Sequence, residues 1–281
     1  MAGTLYLCAT PIGNLEDITF RVLRTLEEVD LIAAEDTRNT IKLLNHFEIK
    51  TPMTSYHEYN KIDKAAYLIQ KLSEGMDIAL VTDAGTPGIS DPGEEIVRQA
   101  YASGISVTSL PGACACVTAL TLSGLPTRRF AFEAFLPHAK KERKTILDSL
   151  KTETRTIILY EAPHHLKSTL SELYEALGER KITLCKELTK LHETVIPTTI
   201  SAAIETFKQQ DPKGEYVLVI DGIRQETLDA IEQEKWKNLS VREHFEYYLT
   251  QGFDRKESMK KAAQDRGVSK REIYQVINKN E

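Results

Sequence analysis

Long hydrophobic runs are missing: nowhere in the 281 residues do eighteen apolar residues follow one another, which excludes a membrane-spanning helix of ordinary length. Met1 is followed almost at once by the strand-like Thr4–Thr10, with no basic leader and no small-residue cleavage motif, so a cytoplasmic protein without a membrane partner is expected. Cysteine is scarce. Cys8, Cys114, Cys116 and Cys185 lack the CxxC pairs and nearby histidines of a zinc site, which leaves free thiols and no metal as the expectation. Excess positive charge is also missing. A net charge of -5 excludes a uniformly basic nucleic-acid-binding surface, so any polyanion contact must be local. The charge is uneven, because residues 235–281 carry eleven Lys/Arg against seven Asp/Glu. The GxGxxG fingerprint of a dinucleotide site is absent as well.

What is present is an alternation of short β-like runs with amphipathic segments. Residues 4–10, 29–34, 52–56, 78–82 and 105–110 are rich in Val, Ile, Leu and Thr, and the stretches between them have helical spacing, the pattern of a mostly parallel α/β sheet. Pro111-Gly112 breaks the chain before a small-residue helix over 113–123, and Gly124-Leu125-Pro126 breaks it again, which sets the expected boundary of an N-terminal α/β domain at 1–123. A second α/β domain is expected over 124–225, with strands near 130–135, 156–160, 182–185, 193–197 and 216–220. Beyond Gly222 the β signal ends. Ser240 with Glu243, Asp254 with Glu257 and Ser269 with Glu272 each match a capping box, so a three-helix module is expected over 235–281. Ala262-Ala263, the turn at Gly267 and the helix start at Lys270-Arg271 resemble a helix-turn-helix pair; a bundle with solvated charges accounts for the same residues.

Two segments carry chemistry. The first strand runs into Ala9-Thr10-Pro11-Ile12-Gly13, a stiff turn with one permissive position. Residues 81–93, VTDAGTPGISDPG, lie just beyond a strand's carboxyl end, where open α/β sheets bind ligands. Three glycines and two prolines there describe a fixed irregular loop, dense in backbone polar groups, that can line a nucleoside pocket. Asp83 and Asp91 either contact a ligand or brace the turn.

These segments, with AAEDTR (33–38), SYHEYN (55–60), LPGACACVTALTLSGLP (110–126), FLP (135–137), LYEAPHHL (159–166) and KELTKLHET (186–194), resemble the ribosomal-RNA 2′-O-methyltransferase branch of the tetrapyrrole methylases over nearly the whole chain. The resemblance implies two α/β domains with a cofactor cleft between them, a homodimer, S-adenosylmethionine as cofactor, and methylation of a cytidine ribose in 16S ribosomal RNA of the small ribosomal subunit. By position it assigns cofactor contacts to Pro11, to Asp83, Gly85, Thr86, Ile89 and Ser90, to Ala113, Cys114 and Ala115, and to Tyr160 and Glu161. Thr199, Ile200 and Gly214 follow as further carry-overs. This chain has Gly85-Thr86-Pro87 where tetrapyrrole branches carry Gly-Asp-Pro.

A sulfonium methyl is already activated, so the enzyme's task is chiefly to align a ribose oxygen and assist loss of its proton. Candidate bases are Glu35, Asp36, His57, Glu58 and Glu187, and the sequence does not select among them. Arg38 and Lys190 read as phosphate contacts. Lys140, Lys141, Arg143 and Lys144 form a basic patch suited to an RNA backbone or to a solvated helix start, and Lys270 and Arg271 are the corresponding pair in the C-terminal module. Two rival readings share most of these features: a methyltransferase acting on a tetrapyrrole precursor, and a non-catalytic RNA-binding assembly protein with a degenerate cofactor cleft.

Overall fold

Five short strands, β1 (Thr4–Cys8), β2 (Leu31–Ala34), β3 (Met53–Ser55), β4 (Ile78–Val81) and β5 (Ser106–Leu110), form the first sheet of the computed structural model, which describes residues 1–278. They pair in the order β3-β2-β4-β1-β5, every neighbouring pair parallel. All four residues of β4 are buried, as a central parallel strand covered on both faces requires. The connecting helices are α1 (Phe20–Glu28), α2 (Thr37–His46), α3 (Lys61–Ser73) and α4 (Gly93–Ala102). Val22, Leu26 and Leu44 of α1 and α2 pack in one core with Cys8, Ile32 and Val81, while Leu68, Leu72 and Ile96 of α3 and α4 pack in another with Leu5, Ile78 and Leu80. The sheet is therefore wound on both faces. Because its strands are parallel, the segments following β1, β2, β3 and β4 all emerge along one edge.

The second sheet contains β6 (Phe130–Phe135), β7 (Thr156–Glu161), β8 (Lys181–Lys186), β9 (Thr194–Thr199) and β10 (Tyr216–Ile220), in the order β6-β7-β10-β8-β9. Only the β6–β7 pair is parallel. Its helices are α5 (Ala115–Leu122), α6 (Lys140–Leu150), α7 (Pro163–Leu177) and α8 (Ile200–Gln209). Helix α5 follows β5 directly, yet Cys116, Ala119 and Leu120 pack against Ile158, Cys185, Val217 and Val219 of the second sheet. Its small residues permit that approach, and Thr183 donates a 2.9 Å hydrogen bond to the Ser123 carbonyl just beyond it. Both sheets belong to one compact unit, residues 1–148 with 156–221.

Residues 149–155 and 222–281 form a second unit. It holds α9 (Gln225–Lys237), α10 (Val241–Thr250), α11 (Arg255–Asp265) and α12 (Lys270–Asn278); residues 279–281 of the expected C-terminal module lie outside the described residues. Ser240 and Glu243 complete a reciprocal capping box, Asp254 accepts from the Glu257 amide at 2.7 Å and Ser269 from the Glu272 amide at 3.3 Å. Helix α9 goes beyond the sequence expectation: no side chain caps its start at Arg224, so it carries no local signal of the kind that marks the other three. Phe245, Met259, Ala263, Ile273 and Ile277 are the core of this unit.

Candidate functional site

The carboxyl edge of the first sheet is organised by the loop after β4. Gly85 exchanges both backbone hydrogen bonds with Thr10, at 2.9 and 3.0 Å, tying the loop to the turn after β1. Gly85 and Gly88 take φ values of 88° and 86°, which only glycine adopts freely, and Ser90 is held at 68°. The half-buried Asp91 carboxylate supplies the brace. It accepts the amides of Gly88, Ile89 and Gly93 at 2.7–3.0 Å, which fixes a backbone that would otherwise be strained. Desolvation pushes the Asp91 carboxyl above its ordinary range, and these amide bonds oppose the shift. Tyr56, buried beneath, donates its hydroxyl to the Pro92 carbonyl at 2.9 Å.

The loop forms one wall of a cavity of about 300 Å³. Asp83, Gly85, Thr86, Ile89 and Ser90 line it from the loop, Cys114 and Ala115 from the start of α5, and Tyr160 and Glu161 from the end of β7. Thr86 donates to the Ala113 carbonyl at 3.0 Å, and the Tyr160 hydroxyl accepts the Cys116 amide at 3.1 Å, so the α5 start is gripped from both sides. The Cys114 and Cys116 sulfurs lie 3.4 Å apart. Hydrogen bonding from Cys116 draws the Cys114 thiol below the ordinary range, while the same contact and burial push Cys116 up. Glu161 is buried; it accepts from the Thr169 hydroxyl at 2.5 Å, and Thr169 accepts from Arg143 at 2.7 Å.

The cavity has further walls beyond the candidate contacts. Ile12, Phe135 and Leu188 fall within motif segments, whereas Cys185, Tyr216 and Val217 come from β8 and β10, outside them. Of the other candidate cofactor contacts, Pro11 faces a neighbouring hollow and Ala113 contributes its carbonyl. Gly214, at φ 78°, packs where a Cβ would lie 2.5 Å from Glu187 Cγ, beside the cavity residues Glu215 and Tyr216. Thr199 caps α8 and Ile200 is fully buried; neither lines the cavity.

Of the candidate bases, Glu35, Asp36, His57 and Glu58 follow β2 and β3 at this edge, Glu187 follows β8 of the second sheet, and the five differ in state. Asp36 caps α2 and binds the Arg38 guanidinium, which holds its carboxyl down at about 2. Glu35 accepts the Thr82 hydroxyl at 2.5 Å and the Asp83 amide at 3.3 Å. His57 contacts Asn60, and its buried Nδ1 has no partner among the described residues. Glu58 is paired with Lys61 at 2.7 Å. Glu187, at φ 52°, accepts the Glu215 amide and the Lys190 ammonium, and both bonds lower its carboxyl. The cationic candidates divide likewise. Lys140, Lys141, Lys144, Lys270 and Arg271 are exposed, and Arg38 is exposed although paired with Asp36. Arg143 turns inward to Glu172 and Thr169, and Lys190 bridges Glu187 and Glu215.

The cavity suits a nucleoside joined to an amino acid. Aromatic and aliphatic walls from Ile12, Phe135, Tyr160 and Val217 fit a purine, and the carboxylates of Asp83 and Glu161 with the loop's backbone groups fit hydroxyls and an ammonium.

A family model for tetrapyrrole (corrin/porphyrin) methylases matches residues 4–204. The chain is 50% identical to the ribosomal RNA small subunit methyltransferase I of Halalkalibacterium halodurans, over 98% of this chain and 95% of that one. It is also 50% identical to the protein of that name from Bacillus subtilis, over 98% and 94%. Among solved structures it resembles diphthine synthase, with TM-score 0.63 and 14% identity over 78% of this chain and 90% of that one. The uroporphyrin-III-C-methyltransferase from Thermus thermophilus gives TM-score 0.55 and 22% identity over 77% and 94%. These two likenesses establish the fold. Together with a cavity built on the carboxyl edge of a doubly wound sheet, the matches show that the chain belongs to the tetrapyrrole methylase family of S-adenosylmethionine-dependent methyltransferases.

Proposed function

We propose that this protein methylates the ribose 2′-oxygen of a cytidine in 16S ribosomal RNA of the small ribosomal subunit. The observation that carries the reading is full-length similarity: the 50% identity extends over 98% of the chain, C-terminal helices included, to proteins named for small-subunit ribosomal RNA methylation. Tetrapyrrole methylation leaves that helical unit without a role.

S-adenosylmethionine supplies an activated methyl group when bound. In this reading the 82–91 loop and the start of α5 hold it, with Tyr160 and Glu161 facing them across the cavity. Rigidity is the protein's main contribution, since alignment of a nucleophile with an activated carbon accounts for much of such a rate enhancement. Among the candidate bases, Asp36, Glu58 and Glu187 are engaged by Arg38, Lys61 and Lys190. Glu35 and His57 are the candidates without an ion pair among the described residues, and Glu35 also orients Thr82 and Asp83. The exposed Lys140, Lys141, Lys144, Lys270 and Arg271 suit the ribose-phosphate backbone, which explains how an acidic chain meets a polyanion locally. A cytoplasmic homodimer completes the reading on the strength of the motif resemblance, and light scattering tests the dimer.

Incubation with labelled S-adenosylmethionine and unmodified small ribosomal subunits, followed by digestion of the RNA, is expected to yield labelled 2′-O-methylcytidine. A different labelled nucleoside would overturn the cytidine 2′-O assignment, and an absence of labelled RNA would overturn the substrate class.

A further inference from the structure

The start of α5 carries two of the chain's four cysteines. Cys114 is half-buried and lines the cavity, whereas Cys116 is 5% exposed and packs in the core between α5 and the second sheet. Their sulfurs are 3.4 Å apart. Ala115, the one residue between them, opens the helix, and helical geometry there sets the flanking Cα atoms about 5–6 Å apart, the usual span of a disulfide. Neither thiol has a task in the methyl transfer proposed above.

The two thiols differ as the members of a reactive pair do. Contact with Cys116, aided by the first-turn amides of Val117 and Cys116, holds the Cys114 thiol down at about 6 against the opposing effect of burial. The same contact and burial push Cys116 up, so it stays protonated. Cys8 and Cys185 are inert by the same physics: both are fully buried, and desolvation raises them to about 12 and about 11. A thiolate on the cavity face with a protonated thiol in contact behind it matches the attacking and resolving positions of a dithiol.

We propose that Cys114 and Cys116 form a peroxide-reactive dithiol whose closure to a disulfide weakens S-adenosylmethionine binding. In the first step the Cys114 thiolate attacks one oxygen of a hydroperoxide. An S–O bond forms, the O–O bond breaks, and the leaving alkoxide or hydroxide takes a proton from water. Cys116 then attacks the Cys114 sulfenic acid: the S–S bond forms, the S–O bond breaks, and hydroxide leaves with the Cys116 proton as water. The two sulfurs lose two electrons in all and the peroxide gains them. A small thiol returns them by exchange.

Closure brings the sulfurs from 3.4 Å to about 2 Å, and their surroundings give little room for it. Tyr160 accepts the Cys116 amide at 3.1 Å, Thr86 donates to the Ala113 carbonyl at 3.0 Å, and Thr118 donates its amide and hydroxyl to the Cys114 carbonyl at 3.0 and 2.9 Å. Movement therefore falls on the Cys114 side chain and the backbone at 114–115, which are cavity wall. The effect on binding rests on the reading above that sets the cofactor against the start of α5.

The test exposes the reduced full-length protein to hydrogen peroxide and follows it by mass spectrometry and calorimetry. Loss of two hydrogen atoms is expected, mapped by proteolysis to a bond between Cys114 and Cys116. The S-adenosylmethionine dissociation constant should rise at least about ten-fold and be restored by dithiothreitol. By reciprocity, saturating S-adenosylmethionine should slow formation of the bond. In Cys116→Ser the reaction should stop at a Cys114 sulfenic acid that dimedone traps, and in Cys114→Ser no adduct should form at Cys116. Thiols that remain free, or Cys114 bridged to Cys185 instead, overturn the dithiol whatever the cofactor does. A bond between Cys114 and Cys116 that forms equally fast with and without cofactor, and leaves its affinity unchanged, overturns the coupling and with it the placement of the cofactor beside α5.

Discussion

Thr10 and Gly85 exchange two backbone hydrogen bonds although 75 residues separate them, and this small antiparallel bridge fastens the cavity loop after β4 to the first strand's exit. At Gly85 a φ of 88° coincides with a position where a Cβ would stand 3.2 Å from the Ile12 methyl. Gly85→Val is therefore expected to cost about 1–3 kcal/mol in stability and to weaken S-adenosylmethionine binding. Denaturant titration and calorimetry measure the two effects, and an unchanged dissociation constant would remove the bridge from the site.

Asp83 behaves differently. Desolvation and the nearby Glu35 raise its carboxyl above the ordinary range, so the folded state binds that proton more tightly than the unfolded chain does. Stability from this group is full at acid pH, falls as pH rises from the ordinary carboxylate range through the raised value, and stays reduced above it. Asp83→Asn should thus leave the melting temperature at neutral pH unchanged or raised by up to about 2 °C while weakening cofactor binding. A fall in both would show Asp83 to be a structural group.

Cys114 should titrate below a free thiol because its sulfur is hydrogen-bonded with that of Cys116. Iodoacetamide labelling of Cys114 is expected to rise through a midpoint below that of glutathione, and Cys116→Ala should move the midpoint upward. The stability linked to this thiolate is present above the ordinary thiol range and is lost as pH falls through the depressed value. Bound S-adenosylmethionine should slow the labelling, since Cys114 lines the cavity. Labelling with the same midpoint in both proteins would dismiss the sulfur contact.

The four basic residues of α6 should separate on mutation. Arg143→Ala breaks a chain running through Thr169 to the buried Glu161, with an expected loss of about 1.5–3 kcal/mol and weaker cofactor binding. Alanine at Lys140, Lys141 and Lys144 should leave both unchanged and weaken only RNA binding, most visibly at low salt. Equal effects from all four would contradict the inward path of Arg143.

Trp236, the chain's single tryptophan, stacks on the buried His244 ring at 3.7 Å. Burial lowers the His244 value against the opposing pull of Asp265, and Nδ1 accepts from Arg266 at 3.0 Å, so the imidazole is neutral in the folded unit. Stability from this group is present above the ordinary histidine range and is lost as pH falls through the lowered value. Tryptophan fluorescence should accordingly change on acidification below the ordinary histidine range. The change should disappear in His244→Phe; persistence there would assign it to another group.

The sequence by itself determined the strands and the starts of the last three helices. The aromatic run Phe130–Phe135 and the apolar run Tyr216–Ile220 begin and end as strands where their composition changes, and Ser240, Asp254 and Ser269 mark helix starts through their own side chains. The loop over 81–93 was legible as a fixed irregular turn because its glycines and prolines restrict the backbone locally, and it lines the cavity. Helix α9 was not, since it lacks a side-chain cap. What only the tertiary structure decided is non-local: the Arg143 side chain points inward, α5 packs on the second sheet, and Phe135, Cys185 and Val217 meet around one cavity. Backbone preference and capping act within a few residues, whereas a cavity wall and the partner of a charge depend on chain segments that only packing brings together.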